Sequence, residues 1–330
     1  MACLSPIGIK NPKKLKHRFE GGKNAPETFW TSVPCGKCPP CLKARSNAWA
    51  FRLNRQRDVS DSALFVTFTY NTEHVPITEN GFMSLQKKDF QDFMKRLRKL
   101  HPQGKSIKYY AVGEYGSSSD RPHFHAIMFN VLASEENYAL IQEAWKCTKD
   151  RCTEIATSWK RKEQVANGEY KLKTCGCGGY LGDVHVGDVQ GASINYTTKY
   201  IHKGSKVPKH KRDDREKEKS LSSMKLGANY LTPQMVAWHQ ADLSRNYVVH
   251  PDGWKSALPR YYKQKIFDGY QVRQMRPIME NMVNEAEQKR QQAFKNRTGS
   301  LEGYERAVHE SNKAQFENFY AKESEKRRTI

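Results

Sequence analysis

The sequence predicts an α+β domain built on an antiparallel sheet of about five strands with flanking helices. Loop-rich cysteine segments and a helical C-terminal tail accompany it. Three observations carry this expectation. Leu64-Phe-Val-Thr-Phe-Thr-Tyr70 is a β-branched and aromatic run of strand length. From Ser84 to about Leu100, residues Leu85, Phe90, Phe93, Met94, Leu97 and Leu100 recur at helical spacing, with Ser84 placed as the N-cap. Ile107 to Glu114 and Pro122 to Asn130 then read as two strands joined through Gly116–Arg121. The order strand, helix, strand, strand, helix, strand is that of an antiparallel sheet with helices on one side.

The other elements follow along the chain. Residues 1–60 form a cysteine-rich segment with a leading helix from Trp49 to Arg57. Residues 61–204 form the main domain. Within it, a helix near Ser134 to Lys146 precedes a cysteine-bearing, lysine-rich insertion at about 147–179. Tyr180 to Val189 supplies a further strand, and Gly191 and Gly204 bracket a short helix from about Ala192 to Lys203. Residues 205–220 carry mixed charge without apolar periodicity and predict an exposed linker. They open a segment, 205–267, of linker and accessory structure packing on the main domain. The polar tail, 268–330, reads as one or two surface helices or partial disorder.

Composition limits the partners. Lys and Arg total 56 against 35 acidic residues, a net charge of +21, which points to a polyanion. Hydrophobic residues make up 37% of the chain and mean hydropathy is −0.84. No apolar run approaches the roughly 18 residues of a membrane span. Met1-Ala-Cys-Leu-Ser-Pro6 lacks a signal-peptide pattern, so a reducing cytoplasm is expected. There, the eight cysteines read as metal ligands or thiols, not as a disulfide framework.

Three groups of residues could carry chemistry. The first is Arg121-Pro-His-Phe-His-Ala-Ile-Met-Phe129, where strand alternation points His123 and His125 to one face and Phe124, Ala126 and Met128 to the other. A hairpin through Gly116–Arg121 would return Glu114 beside the pair. Two histidines and a carboxylate suit a divalent ion such as Mg²⁺ or Mn²⁺ with positions left open for phosphate. The same spacing also fits two ordinary histidines on a half-exposed sheet face and a hairpin-end carboxylate.

The second group is Tyr196-Thr-Thr-Lys-Tyr-Ile-His-Lys203, two overlapping copies of Tyr-x-x-Lys. On a helix, Tyr196, Lys199, Tyr200 and Lys203 form one stripe, each phenol with an ammonium close by to favour the phenolate. A surface helix covering a groove, or a strand with Lys199 on the far face, fits as well. The third group is cysteine spacing. Cys3 with Cys35-x₂-Cys38-x₂-Cys41 is one set of four, and Cys147, Cys152, Cys175 and Cys177 are another. Four is the count of a closed zinc site, although unligated cysteines would show the same count.

Taken together, Phe65-Val-Thr-Phe-Thr-Tyr70, Gly113-Glu-Tyr-Gly116 leading into Arg121–Phe129, and Tyr196–Lys203 resemble, in order, the three motifs of HUH rolling-circle endonucleases. The likeness is greatest to replication initiation proteins of small single-stranded DNA bacteriophages, the gokushovirus-type microviruses. It extends to Pro34-Cys-Gly-Lys-Cys-Pro-Pro-Cys41 with Arg45–Trp49, and to Leu258-Pro-Arg-Tyr-Tyr-Lys263. The resemblance implies an HUH-type sheet, His123 and His125 as ligands of the catalytic cation, Glu114 as the third ligand, and Tyr196 and Tyr200 as nucleophiles.

The function expected on that basis is nicking of single-stranded origin DNA through a 5′-phosphotyrosyl intermediate, followed by rejoining. Host helicase and DNA polymerase would be partners, and the host bacterial cytoplasm the location. Phe65, Tyr70 and Tyr109 are candidates for stacking bases. A plasmid initiator or transposase of the same chemistry, or a non-catalytic zinc-containing protein that binds single-stranded DNA or RNA, would share parts of this pattern.

Overall fold

At the N-terminal end, β1 (Ile7–Lys10) pairs antiparallel with β2 (Trp30–Val33), Ile7 facing Val33. The helix α1 (Pro39–Arg57) then opens on two prolines, tolerated in a first turn whose N–H groups have no intrahelical partner. It therefore starts well before Trp49. Its first half, Cys41-Leu-Lys-Ala-Arg-Ser-Asn-Ala48, has no apolar stripe, so periodicity is silent there.

The structure is a computed structural model that describes residues 3–10, 30–101, 104–116, 119–147, 179–188, 207–250 and 252–328. It divides into two compact units. One is Trp49–Tyr230; the other combines Met1–Ala48 with Leu231–Ile330.

The unit Trp49–Tyr230 is built on the expected five-stranded sheet. It comprises β3 (Ala63–Thr69), β4 (Lys108–Tyr115), β5 (Pro122–Phe129), β6 (Val184–Asp188) and β7 (Ser220–Ser222). The spatial order is β6-β3-β5-β4-β7 and every pairing is antiparallel. On one face Leu64, Val66, Phe68, Phe124, Ala126 and Met128 are buried against α2 (Lys87–Leu100) and α3 (Glu135–Ala144). Phe68 lies 4.6 Å from Phe93 and 5.1 Å from Trp145, ring centre to ring centre. Each such fully buried aromatic stabilises the fold by roughly 1.5–3 kcal/mol relative to exposure. Trp145 also donates its indole N–H to the Thr69 carbonyl at 2.9 Å, fastening the end of α3 to the end of β3.

The helix caps split. Ser134 caps α3 as expected, its hydroxyl accepting from the Asn137 N–H. Ser84 does not cap α2, which starts after Gln86 without a side-chain cap. Its hydroxyl instead accepts the Glu216 N–H at 2.9 Å and donates to the Leu85 carbonyl.

The partner of Ser84 belongs to the run expected to be an exposed linker, and the structure corrects that reading. Val207, Asp213 and Arg215 are buried. The Arg215 guanidinium grips both Asp213 oxygens at 2.8 Å and reaches Asp120, in the β4–β5 loop, at 3.3 Å. A charge run looks solvated in sequence because its partners lie elsewhere in the chain. Here they remove it from water, and the run continues into β7, where Ser220 pairs with Val112.

The second sheet face is divided. Leu53 of α1 and Leu226 cover Tyr110, Val112, Ile127 and Phe129. At the other end of the same face stand Thr67, Thr69, Glu114, His123 and His125, brought together by the strand register.

The other unit carries α4 (Pro233–Ala241), capped by Thr232, the hairpin of β8 (Tyr247–Val249) and β9 (Lys255–Ala257), and α5 (Arg260–Ile266). The tail is two helices, α6 (Gly269–Thr298) and α7 (Tyr304–Arg328). A capping box of Asp268 and Gln271 opens α6, and Gly299, at φ 81°, closes it in the left-handed region. Among the described residues no helix is long and apolar enough to cross a membrane.

Candidate metal centre

Glu114 sits directly opposite His123 in the β4–β5 register, and Val112 opposite His125. Opposed residues share a sheet face, so the carboxylate and both imidazoles converge. One Glu114 oxygen, Oε2, lies 3.7 Å from His123 Nε2 and 3.8 Å from His125 Nε2. The three ligand atoms fall within 4.8 Å of one another. The imidazole rings stand 4.8 Å apart and nearly perpendicular, at 83°. Glu114 and His125 are buried, while His123 keeps about a fifth of its side chain exposed. The centre thus has a closed floor and one accessible side.

The surroundings orient each ring. His123 Nδ1 lies 3.1 Å from the Arg121 carbonyl, which can only accept, so Nδ1 carries the proton and the Nε2 lone pair faces Glu114. His125 Nδ1 lies 2.9 Å from Thr67 Oγ1, and Phe65 stacks on the same ring at 5.5 Å. Arg121 is held in turn, its guanidinium donating to the Tyr70 carbonyl and to Thr72 Oγ1. Imidazoles held from behind at Nδ1, with Nε2 turned toward the ion, are what histidine ligation requires. Two ligands in adjacent octahedral positions around Mg²⁺ stand roughly 3 Å apart, so distances of 3.7 and 3.8 Å need only a small side-chain adjustment. The donor set fits a divalent cation.

Thr67 and the Arg121 carbonyl are members of the site that motif reading passes over. The phase of Phe65, Thr67 and Thr69 along β3 was the available signal, because alternation alone puts Thr67 on the histidine face once β3 pairs with β5. His185, exposed on β6 and opposite Thr67, shares that face too. Two expectations about base stacking are corrected. Tyr70 and Tyr109 lie on the helix side of the sheet, Tyr70 in the buried core and Tyr109 packed against it. Burial there pushes the Tyr109 phenol pKa up. Phe65 is on the site face, with His125 as its partner.

The structure also gathers the first cysteine set. The sulfurs of Cys3, Cys35, Cys38 and Cys41 lie within 4.8 Å of one another. Backbone N–H groups of Lys37 and Cys38 on the Cys35 sulfur lower its pKa to about 6, whereas burial pushes Cys41 up to about 12. Of the second set, Cys147 is half-buried at the end of α3, its N–H donating to the Gly179 carbonyl. Cys152, Cys175 and Cys177 lie outside the described residues, as do Tyr196, Lys199, Tyr200 and Lys203 with the helix expected for them.

Comparison with known proteins agrees with the resemblance read from the motifs. Residues 63–205 match the family of the replication-associated protein ORF2. The chain is 27% identical over 274 residues to the replication-associated protein VP4 of Bdellovibrio phage phiMH2K, covering 80% of this chain and 76% of the relative. It is 26% identical over 284 residues to the replication-associated protein ORF2 of Spiroplasma virus 4, covering 81% and 79%. It is 27% identical to the replication-associated protein ORF4 of Chlamydia phage 1, covering 73% of this chain and 55% of that protein. No solved structure gives a significant match.

Proposed function

Residues 63–205 fall in the replication-associated protein ORF2 family, and on that premise we propose that this chain initiates and terminates rolling-circle replication of a phage genome. It does so by nicking single-stranded origin DNA and later rejoining it. The observation that carries this reading is the convergence of Glu114, His123 and His125 on the accessible end of the sheet face. Phage relatives favour a phage initiator over a plasmid initiator or transposase.

Glu114, His123 and His125 would hold Mg²⁺ or Mn²⁺, which when bound supplies charge to polarise the scissile phosphate. In the cleavage step, a phenolate oxygen of Tyr196 or Tyr200 bonds to phosphorus and the bond from phosphorus to the 3′ oxygen breaks. The 3′ oxygen takes up a proton, and the 5′ phosphate stays on the tyrosine as an ester. Lys199 and Lys203 favour the phenolate. The ester conserves the phosphodiester, so rejoining needs no nucleotide triphosphate. The free 3′-OH primes a host polymerase, and a host helicase separates the strands, in the host bacterial cytoplasm. The net charge of +21 supplies sequence-independent grip on the backbone.

The test is a denaturing gel of the full chain with labelled single-stranded oligonucleotides tiled across the genome that encodes it. One tile should give a covalent adduct that requires Mg²⁺ or Mn²⁺. The variant carrying His123→Ala and His125→Ala should give none, yet still bind single strands. Glu114→Gln should retain part of the activity at raised metal concentration, since one ligand of three is neutralised. No adduct with any tile, or undiminished adduct in the double variant, would overturn the reading.

A further inference from the structure

We propose that Cys3, Cys35, Cys38 and Cys41 form a closed structural zinc site that fastens the N-terminal strand to the start of α1. The site is separate from the histidine centre and independent of the nicking chemistry.

The four thiols come from three places. Cys3 precedes β1, Cys35 and Cys38 lie in the turn after β2, and Cys41 is in the first turn of α1. Their sulfurs lie within 4.8 Å of one another, and those of Cys3 and Cys38 are 3.7 Å apart. A tetrahedron with zinc–sulfur bonds of about 2.3 Å has edges of about 3.8 Å, so this pair already sits at an edge. A disulfide would need about 2.05 Å, and all four are free thiols.

The backbone is shaped to serve sulfur acceptors. The Cys35 N–H donates to the Cys3 sulfur at 3.2 Å. The N–H groups of Lys37 and Cys38 both donate to the Cys35 sulfur, at 3.4 and 3.3 Å. Gly36 makes the turn possible with φ 73°, a conformation that L side chains rarely adopt, although a Cβ there would touch nothing. Two donors aimed at one sulfur favour its thiolate, and four such sulfurs in contact need a cation among them. Thiolates select a soft or borderline metal, and four protein ligands leave no open position. That describes structural zinc, in contrast to the harder His₂Glu centre.

The fold also has need of such a fastening. The β1–β2 ribbon has four residue pairs, and two strands alone are marginally stable in water. Ile7 and Ile9 are 49% and 44% exposed, so burial does little to hold β1. The cysteine cluster is what ties residue 3 to the turn and helix that follow β2.

Full-length protein purified without chelator should contain zinc that survives the His123→Ala, His125→Ala double substitution. Cys35→Ser with Cys38→Ser should lower the content by one equivalent per chain. Cys147→Ser with Cys152→Ser should leave that equivalent in place. Because the cysteine variants could fail to fold, the wild type supplies a second measurement. Alkylation mapped by mass spectrometry should find Cys3, Cys35, Cys38 and Cys41 protected until zinc is stripped, and then all four labelled together. Iron in place of zinc, free labelling of the four in the native protein, or protection relieved only by a reductant would each overturn the proposal.

Discussion

Thr67 Oγ1 lies 2.9 Å from His125 Nδ1, across a register that pairs the two residues directly. The hydroxyl holds the ring in plane and leaves Nε2 facing Glu114. Thr67→Val keeps the shape and β-branching but removes this contact. Mn²⁺ affinity should fall by about 10–100-fold, the usual cost of losing a partner behind a histidine ligand. Titration followed by the Mn²⁺ electron paramagnetic resonance signal measures it, and single-strand binding should be unchanged. An unaltered affinity would mean that Thr67 only fills the sheet face.

The two tyrosines make a separate prediction. Rolling-circle synthesis brings the displaced strand back across the origin while the first tyrosine is still esterified, so a second nucleophile is needed. Tyr196→Phe and Tyr200→Phe should each still form one adduct on the origin oligonucleotide, and neither should release a joined circle. The double variant should form no adduct. If one single variant loses every adduct while the other releases circles normally, one tyrosine has no catalytic part.

Two glycines near the site should differ sharply in their tolerance of a methyl group. A Cβ on Gly182 would run into the Thr69 carbonyl and the backbone beyond it, which cannot yield without moving β3. A Cβ on Gly113 meets the tips of Leu85, at 2.9 and 3.0 Å, and the ring edge of Phe124 at 3.1 Å. The leucine tip can rotate away. Gly182→Ala should cost about 3 kcal/mol and Gly113→Ala about 1 kcal/mol, read from urea midpoints. The reverse order would show that the β6 junction gives more easily than the α2 side of the sheet.

The Arg215 fork holds the Asp213 carboxyl well below the usual carboxylate range. A carboxylate with a lowered folded pKa contributes stability that is fully present above its unfolded value, about 3.9, and is lost as pH falls toward the folded one. Asp213→Asn should therefore destabilise by about 3 kcal/mol at pH 7, leaving a buried guanidinium with one partner fewer. The gap to wild type should narrow progressively below about pH 4. Urea unfolding at several pH values tests both statements, and a gap that stays constant into acid would remove Asp213 from the account.

Local pattern by itself determined a good deal. Alternation along Pro122–Phe129 was enough to put His123 and His125 on one face, because side chains on a strand repeat every second residue whatever it pairs with. Helical spacing located α2, Ser134 announced the cap of α3, and the cysteine count suggested two metal sites. Tertiary structure decided what these residues meet. A slip of one residue between β4 and β5 would turn Glu114 to the helix side, and only burial of the whole face excludes it. Thr67 joins the site through β3–β5 pairing, which no short window of sequence contains. Cys3 meets Cys35 through a contact 32 residues apart, and Arg215 was hidden in a charge run until Asp120 and Asp213 closed around it. Periodicity is written between near neighbours along the chain, whereas register and ion pairing depend on energies shared across the folded core.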